Sequence, residues 1–142
     1  MNFKSLLIIL LSFSLISVSY ADNKISSSPE GAKVYIISPS DGAEVPRTFK
    51  VIFGLSGMGI APAGVDVENT GHHHLLIDVD ELPDLSKPLG SDDHIKHFGK
   101  GQTETELTLE PGTHTLQLVL GNYLHIPHQP PVISKRITVT VK

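Results

Sequence analysis

Eight histidines occupy the chain between His72 and His128, and none lies outside that span. Three are consecutive, His72, His73 and His74, directly after Gly71. Two more pairs have the His-x-x-His spacing, His94/His97 and His125/His128, and His114 stands alone. Imidazole is the common protein ligand for transition metals and the usual proton carrier near neutral pH. Histidines confined to one stretch predict a shared site built from at least three of them.

The elements that would position them are strands. From Lys33 onward the chain alternates short β-branched runs with Pro, Gly and Asp, and no run sustains a 3.6-residue period. Strands are expected over about 33–38, 48–55, 72–79, 103–109, 113–121 and 132–141. Pro39-Ser40-Asp41-Gly42 and the glycine-rich 57–64 separate the first three, and Glu110-Pro111-Gly112 reads as a hairpin turn between the next two. Ile133, Ile137, Val139 and Val141 are expected on one side of the last strand. Six or seven strands without crossover helices predict an all-β fold, an antiparallel immunoglobulin-like β-sandwich of about seven strands.

Strand parity sorts the histidines. His73 shares a face with Leu75, Ile77 and Val79, and His114 shares one with Leu116, Leu118 and Leu120. Each begins an apolar stripe and would be a neutral, hydrogen-bonded core histidine if taken singly. His72 and His74 share the opposite face, about 7 Å apart along the strand, close enough to lean onto one ion. His97, His125 and His128 fall in irregular segments rich in Pro and Gly, where the pair spacing alone is weak evidence and its repetition is what counts. The expected metal ligands are therefore His72, His74, His97, His125 and His128, with His73 and His114 next. All-nitrogen sites suit Cu(II) or Zn(II). Asp78, Asp92 and Asp93 could add an oxygen or orient an imidazole. Met58 could serve Cu(I), although a Met in such a loop is more often a packing plug.

Several chemistries are excluded. The chain has no Cys, so it has neither a thiolate nucleophile nor a thiolate-ligated metal, nor a lipidation cysteine. Its formal net charge of −4 argues against nucleic acid. No Gly-x-x-x-x-Gly-Lys loop is present to bind a nucleotide. Ser91 and Ser134 lack a nucleophile-elbow context, and Asp92-Asp93 reads as a solvated pair. Catalysis is the lesser reading.

The N-terminus reads as a cleaved export signal over residues 1–21. Lys4 gives the positive start, Ser5 to Val18 is apolar or small, and Ser19-Tyr20-Ala21 has the small-x-small pattern of a cleavage site. The apolar run is short for a membrane span, which needs roughly 20 residues. Residues 22–32 read as a flexible polar leader, and 33–142 as one domain. The expected location is periplasmic or secreted, with no membrane span after cleavage.

A set of longer motifs goes further. It includes Pro39-x-Asp41-Gly42-Ala43-x-Val45, Phe53-Gly54-Leu55-x-Gly57-Met58 and Asn69-Thr70-Gly71-His72-His73-His74. It continues with His97-Phe98-Gly99-x-Gly101-Gln102-Thr103, Pro111-Gly112-x-His114-Thr115 and His125-x-Pro127-His128-x-Pro130-Pro131. Together these resemble the bacterial exported family called domain of unknown function 4399 (DUF4399), from about Lys33 to the C-terminus. The resemblance implies a small exported domain without an established activity. Some relatives carry an ATPase label, for which this chain has no phosphate loop. The expected role is binding copper or zinc for buffering, delivery or tolerance, with another periplasmic protein as a further partner. The alternative is a structural or interaction domain that binds no metal.

Overall fold

A computed structural model describes residues 25–142; the expected signal segment, residues 1–21, lies outside them. Among the described residues every regular element is a strand, and no helix is long and apolar enough to cross a membrane. The strands are β1 (Lys33–Ser38), β2 (Ala43–Val45), β3 (Thr48–Ser56), β4 (Gly59–Ile60), β5 (Thr70–Ile77), β6 (Ile95–His97), β7 (Glu104–Thr108), β8 (Gly112–Gly121) and β9 (Ile137–Val141). The six longer ones fall where the sequence pattern predicts them. The extra three, β2, β4 and β6, are two or three residues long and too short to carry a period.

Two sheets face each other. One has the order β1-β3-β7; the other runs β2-β9-β8-β5-β4, with β6 also pairing β5. Two of the short strands, β2 and β4, pair parallel to their neighbours, so the larger sheet is mixed rather than wholly antiparallel. The space between the sheets is filled by alternate side chains of each strand. Phe49, Val51 and Phe53 come from β3, Leu116, Leu118 and Leu120 from β8, and Val139 and Val141 from β9. Burying one such Leu or Phe contributes roughly 1.5–3 kcal/mol, and this core, without any disulfide, holds the domain together.

Two expectations are corrected. Glu110-Pro111-Gly112 does not close a hairpin, because β7 pairs β3 in the smaller sheet while β8 pairs β5 and β9 in the larger. The turn carries the chain from one layer to the other. The last strand is also shorter than 132–141. Ser134 accepts a hydrogen bond from the Leu118 amide through Oγ (2.8 Å) and donates its own amide to the Leu118 carbonyl (2.9 Å). The ladder is interrupted there, so Val132 points into the sandwich while Ile133 joins a second apolar cluster on the outside.

That second cluster explains why β5 is buried on both faces. Leu76 of β5 and Val119 of β8 project outward and are covered by Leu89, with Ile95 and Ile133 around them. The cover comes from the segments between β5 and β6 and between β8 and β9. The two are tied together by the Leu89 amide donating to the His125 carbonyl (2.9 Å). Ser26 and Ser28 hydrogen-bond along Gln129 and Pro130, which adds the start of the described chain to this layer.

Candidate metal centre

The outer face of the larger sheet holds the histidine cluster. His72 and His74 project from it, and the β5–β6 register places His97 directly opposite His74. Cross-strand partners share a face with Cβ atoms about 4.5–5.5 Å apart, so three imidazoles form a triangle. One nitrogen from each lies within 4.8 Å of the others. The His72 and His97 Nε2 atoms are 3.2 Å apart. Two nitrogens bound to one tetrahedral ion at about 2.0–2.1 Å stand roughly 3.3 Å apart, so this edge already has a ligand spacing.

His125 adds a fourth ring, with its centroid 5.1 Å from that of His72 and 4.7 Å from that of His97. Asn122 builds the turn that presents it. The Asn122 side-chain oxygen accepts from the Leu124 and Ile126 amides, and the His125 amide donates to the Asn122 carbonyl. His125 itself takes a left-handed conformation, φ 68°. Non-glycine residues occupy that region infrequently, and here it aims the ring at the other three.

The environment is dry at its base. His72 and His74 are fully buried, and His97 is half-buried at the solvent side. His72 Nδ1 and both ring nitrogens of His74 meet no hydrogen-bond partner. Burial, followed by the neighbouring imidazoles, pushes His72 down to about 4 and His74 down to about 3. His97 is lowered too, first by burial and then by His125. These rings are neutral at pH 7, the form that binds metals.

Three glycines make room. A Cβ on Gly121 would lie 2.7 Å from His74 Cε1, and one on Gly99 would run into the His97 ring. A Cβ on Gly71 would come within 3.0 Å of His128 Cε1. Neither these glycines nor the apolar cover of Leu76, Leu89 and Val119 is among the site elements expected from the sequence. Gly71 and Gly99 stand within two residues of a histidine, a signal visible in the chain; Gly121 becomes a neighbour only through the β5–β8 pairing.

The remaining histidines lie elsewhere. His73 faces the sandwich interior, with its ring 5.1 Å from Phe53. Neither of its nitrogens has a partner, contrary to the backbone hydrogen bond expected of a core histidine. Burial alone pushes it down to about 4. His114 sits beyond the far end of β5, where Nδ1 meets Asp78 Oδ2 at 2.7 Å and Nε2 meets the Glu110 carbonyl at 2.8 Å. His128 is buried behind Gly71 and reaches the Thr70 carbonyl through Nε2 (3.1 Å). His94 meets the Ile77 carbonyl through Nδ1 (2.9 Å).

The aspartates expected to assist a metal are all engaged away from the cluster. Asp78 also accepts the Thr115 amide, Asp92 accepts the His94 and Ile95 amides, and Asp93 lies exposed beside Lys96. Met58 packs against the sandwich core.

Fold and site thus define an all-β sandwich with a buried cluster of neutral histidines on the outer face of one sheet. The chain belongs to the family described as domain of unknown function (DUF4399), whose model matches residues 51–142, a span that holds all eight histidines. No curated protein and no solved structure matches the chain.

Proposed function

We propose that this protein is an exported domain that binds one transition-metal ion, copper or zinc, through His72, His74 and His97, and serves in metal buffering, delivery or tolerance. The observation that carries this reading is the convergence of His72, His74 and His97 from two strands, together with buried His72 and His74 ring nitrogens that lack hydrogen-bond partners. A buried polar nitrogen left unpaired costs about 1–3 kcal/mol. A cluster of them is a standing penalty that one shared ion relieves. His125, whose ring centroid lies 4.7 Å from that of His97, is the candidate for a fourth nitrogen. The export part of the reading rests on the leader pattern of residues 1–21.

Calorimetry with Cu(II) and Zn(II) on the wild-type protein and on a His72→Ala/His74→Ala variant tests this. Stoichiometric binding by the wild type and none by the folded variant is expected. Equal binding by the two proteins rejects these ligands.

A further inference from the structure

We propose that the three-histidine site selects a monovalent ion, Cu(I), over the divalent ions Zn(II) and Cu(II); this rests on the metal-binding reading above and concerns which ion the site keeps.

The ligand set is wholly neutral. Among the described residues, the group that converges contains His72, His74 and His97 and no carboxylate. Asp78, Asp92 and Asp93, the acids that the sequence offered as helpers, are committed to other amides and cations. An ion held here keeps its full charge inside the protein.

The surroundings make that charge decisive. His72 and His74 are both 0 % exposed, and the apolar cluster of Leu76, Leu89 and Val119 lies on the same outer face, with Val119 paired across from His74. The cost of moving an ion from water into such a medium grows with the square of its charge, so a dication is penalised roughly fourfold more than a monocation of similar size. Three neutral nitrogens cannot offset this difference as an anionic ligand would.

The outward nitrogens point the same way. A metal-bound histidine normally donates its other N–H to a carboxylate, carbonyl or water. A divalent ion polarises the ring more strongly and gains more from that acceptor. His72 Nδ1 has no carboxylate or carbonyl of the protein as such a partner. Coordination number agrees. Cu(I) is satisfied by two or three imidazoles, whereas Zn(II) held by three histidines still needs a water or another ligand in its fourth position. Three nitrogens converge to within 4.8 Å of one another, and His125 lies outside that group.

The test is anaerobic competition on the purified protein. Cu(I) is titrated against bicinchoninate, Zn(II) against 4-(2-pyridylazo)resorcinol, and Cu(II) is followed by electron paramagnetic resonance. The expected result is a dissociation constant for Cu(I) at least about 100-fold below that for Zn(II) or Cu(II). His74→Gln and His97→Ala should each weaken Cu(I) by at least about 10-fold; His97 is half-buried, so its variant retains the fold if the buried one does not. Tighter or equal binding of Zn(II) or Cu(II) overturns the preference and leaves the metal site standing. Cu(I) binding unchanged in both variants overturns the assignment to these rings. Binding of none of the three ions removes this proposal and the metal-binding reading together.

Discussion

His74 and His114 sit on neighbouring strands of one sheet and have opposite fates. His114 finds a carboxylate for one ring nitrogen and a carbonyl for the other, so its protonated form is favoured, first by the Asp78 hydrogen bond, and its pKa is raised. His74 makes no well-formed hydrogen bond with either nitrogen, is fully buried, and is pushed down to about 3, chiefly by burial. The same side chain is a fastener in one place and, in the proposed function, a metal ligand in the other. What separates them is whether the fold supplies partners. A polar group is retained in a dry interior against its desolvation cost only where something else compensates.

The largest expected effect follows at the proposed metal site. An ion bound only by the folded state stabilises it by about 4 kcal/mol when its concentration is 1,000-fold above Kd. For a domain of this size the melting temperature then rises on the order of 10 °C. Scanning calorimetry of the protein with Cu(I) or Zn(II), against protein treated with a chelator, should show the rise. His72→Ala/His74→Ala should remove it and His114→Gln should leave it intact. A rise that survives the double variant but disappears with His114→Gln would invert the comparison.

His73 sharpens it, being unpartnered like His74 but alone among apolar side chains. Its folded pKa is about 4, against an ordinary histidine value of 6.5. The unfolded chain therefore takes up a proton that the folded chain resists. Stability is full above pH 6.5 and falls as pH drops toward 4, by on the order of 3 kcal/mol from this group. His72 and His74 add to the same acid limb in metal-free protein. In urea titrations from pH 7.5 to 4.5, His73→Leu should shrink that limb by about this amount and leave metal binding unchanged. An undiminished limb would mean that the ring is not held in the interior as described.

Gly121 comes next. Gly121→Ala places a methyl against the His74 ring, an overpacking that typically costs about 1–3 kcal/mol. Because the clash is with a ligand ring, metal affinity should fall together with stability. Gly64→Ala, where a Cβ meets nothing, carries only the cost of its positive φ and should leave affinity alone. Equal loss of affinity in both would show that the effect comes through general stability and not through ring placement.

Parity along one strand was enough to separate His72 and His74 from His73, and to put His114 on an apolar stripe, because side chains alternate whatever the tertiary context. His97 was among the expected ligands, but its register opposite His74 was not readable. His97 lies in a three-residue strand after a long irregular segment, and its register depends on backbone bonds such as Phe98 to the His73 carbonyl. His125 depends on the Asn122 turn and on a left-handed residue that no local pattern announces. The misplaced hairpin has a related cause. Pro111-Gly112 specifies that the chain turns but not which sheet the next strand joins, and here β8 crosses to the other layer. Asp78 carries a comparable lesson. Adjacent in sequence to the outward histidines, it takes φ 55° just after β5 and turns to His114 and the Thr115 amide.

The smallest effect is expected at that fastener. The raised pKa of His114 means that the folded protein holds a proton which the unfolded chain gives up more readily. The sign is opposite to that of His73. The contribution is fully present below the unfolded value near 6.5 and is lost as pH rises through the folded value. Asp78 is partly in water, its side chain 37 % exposed, so screening keeps the contribution under about 1 kcal/mol. Asp78→Asn retains the shape of the contact while removing the charge. It should abolish the alkaline decline in stability and lower the His114 pKa followed by its ring proton resonances, with no change at His72 or His74. If Asp78→Asn altered the outer cluster as strongly as it altered His114, the two kinds of histidine would be one coupled system, and the division between fastener and ligand would fail.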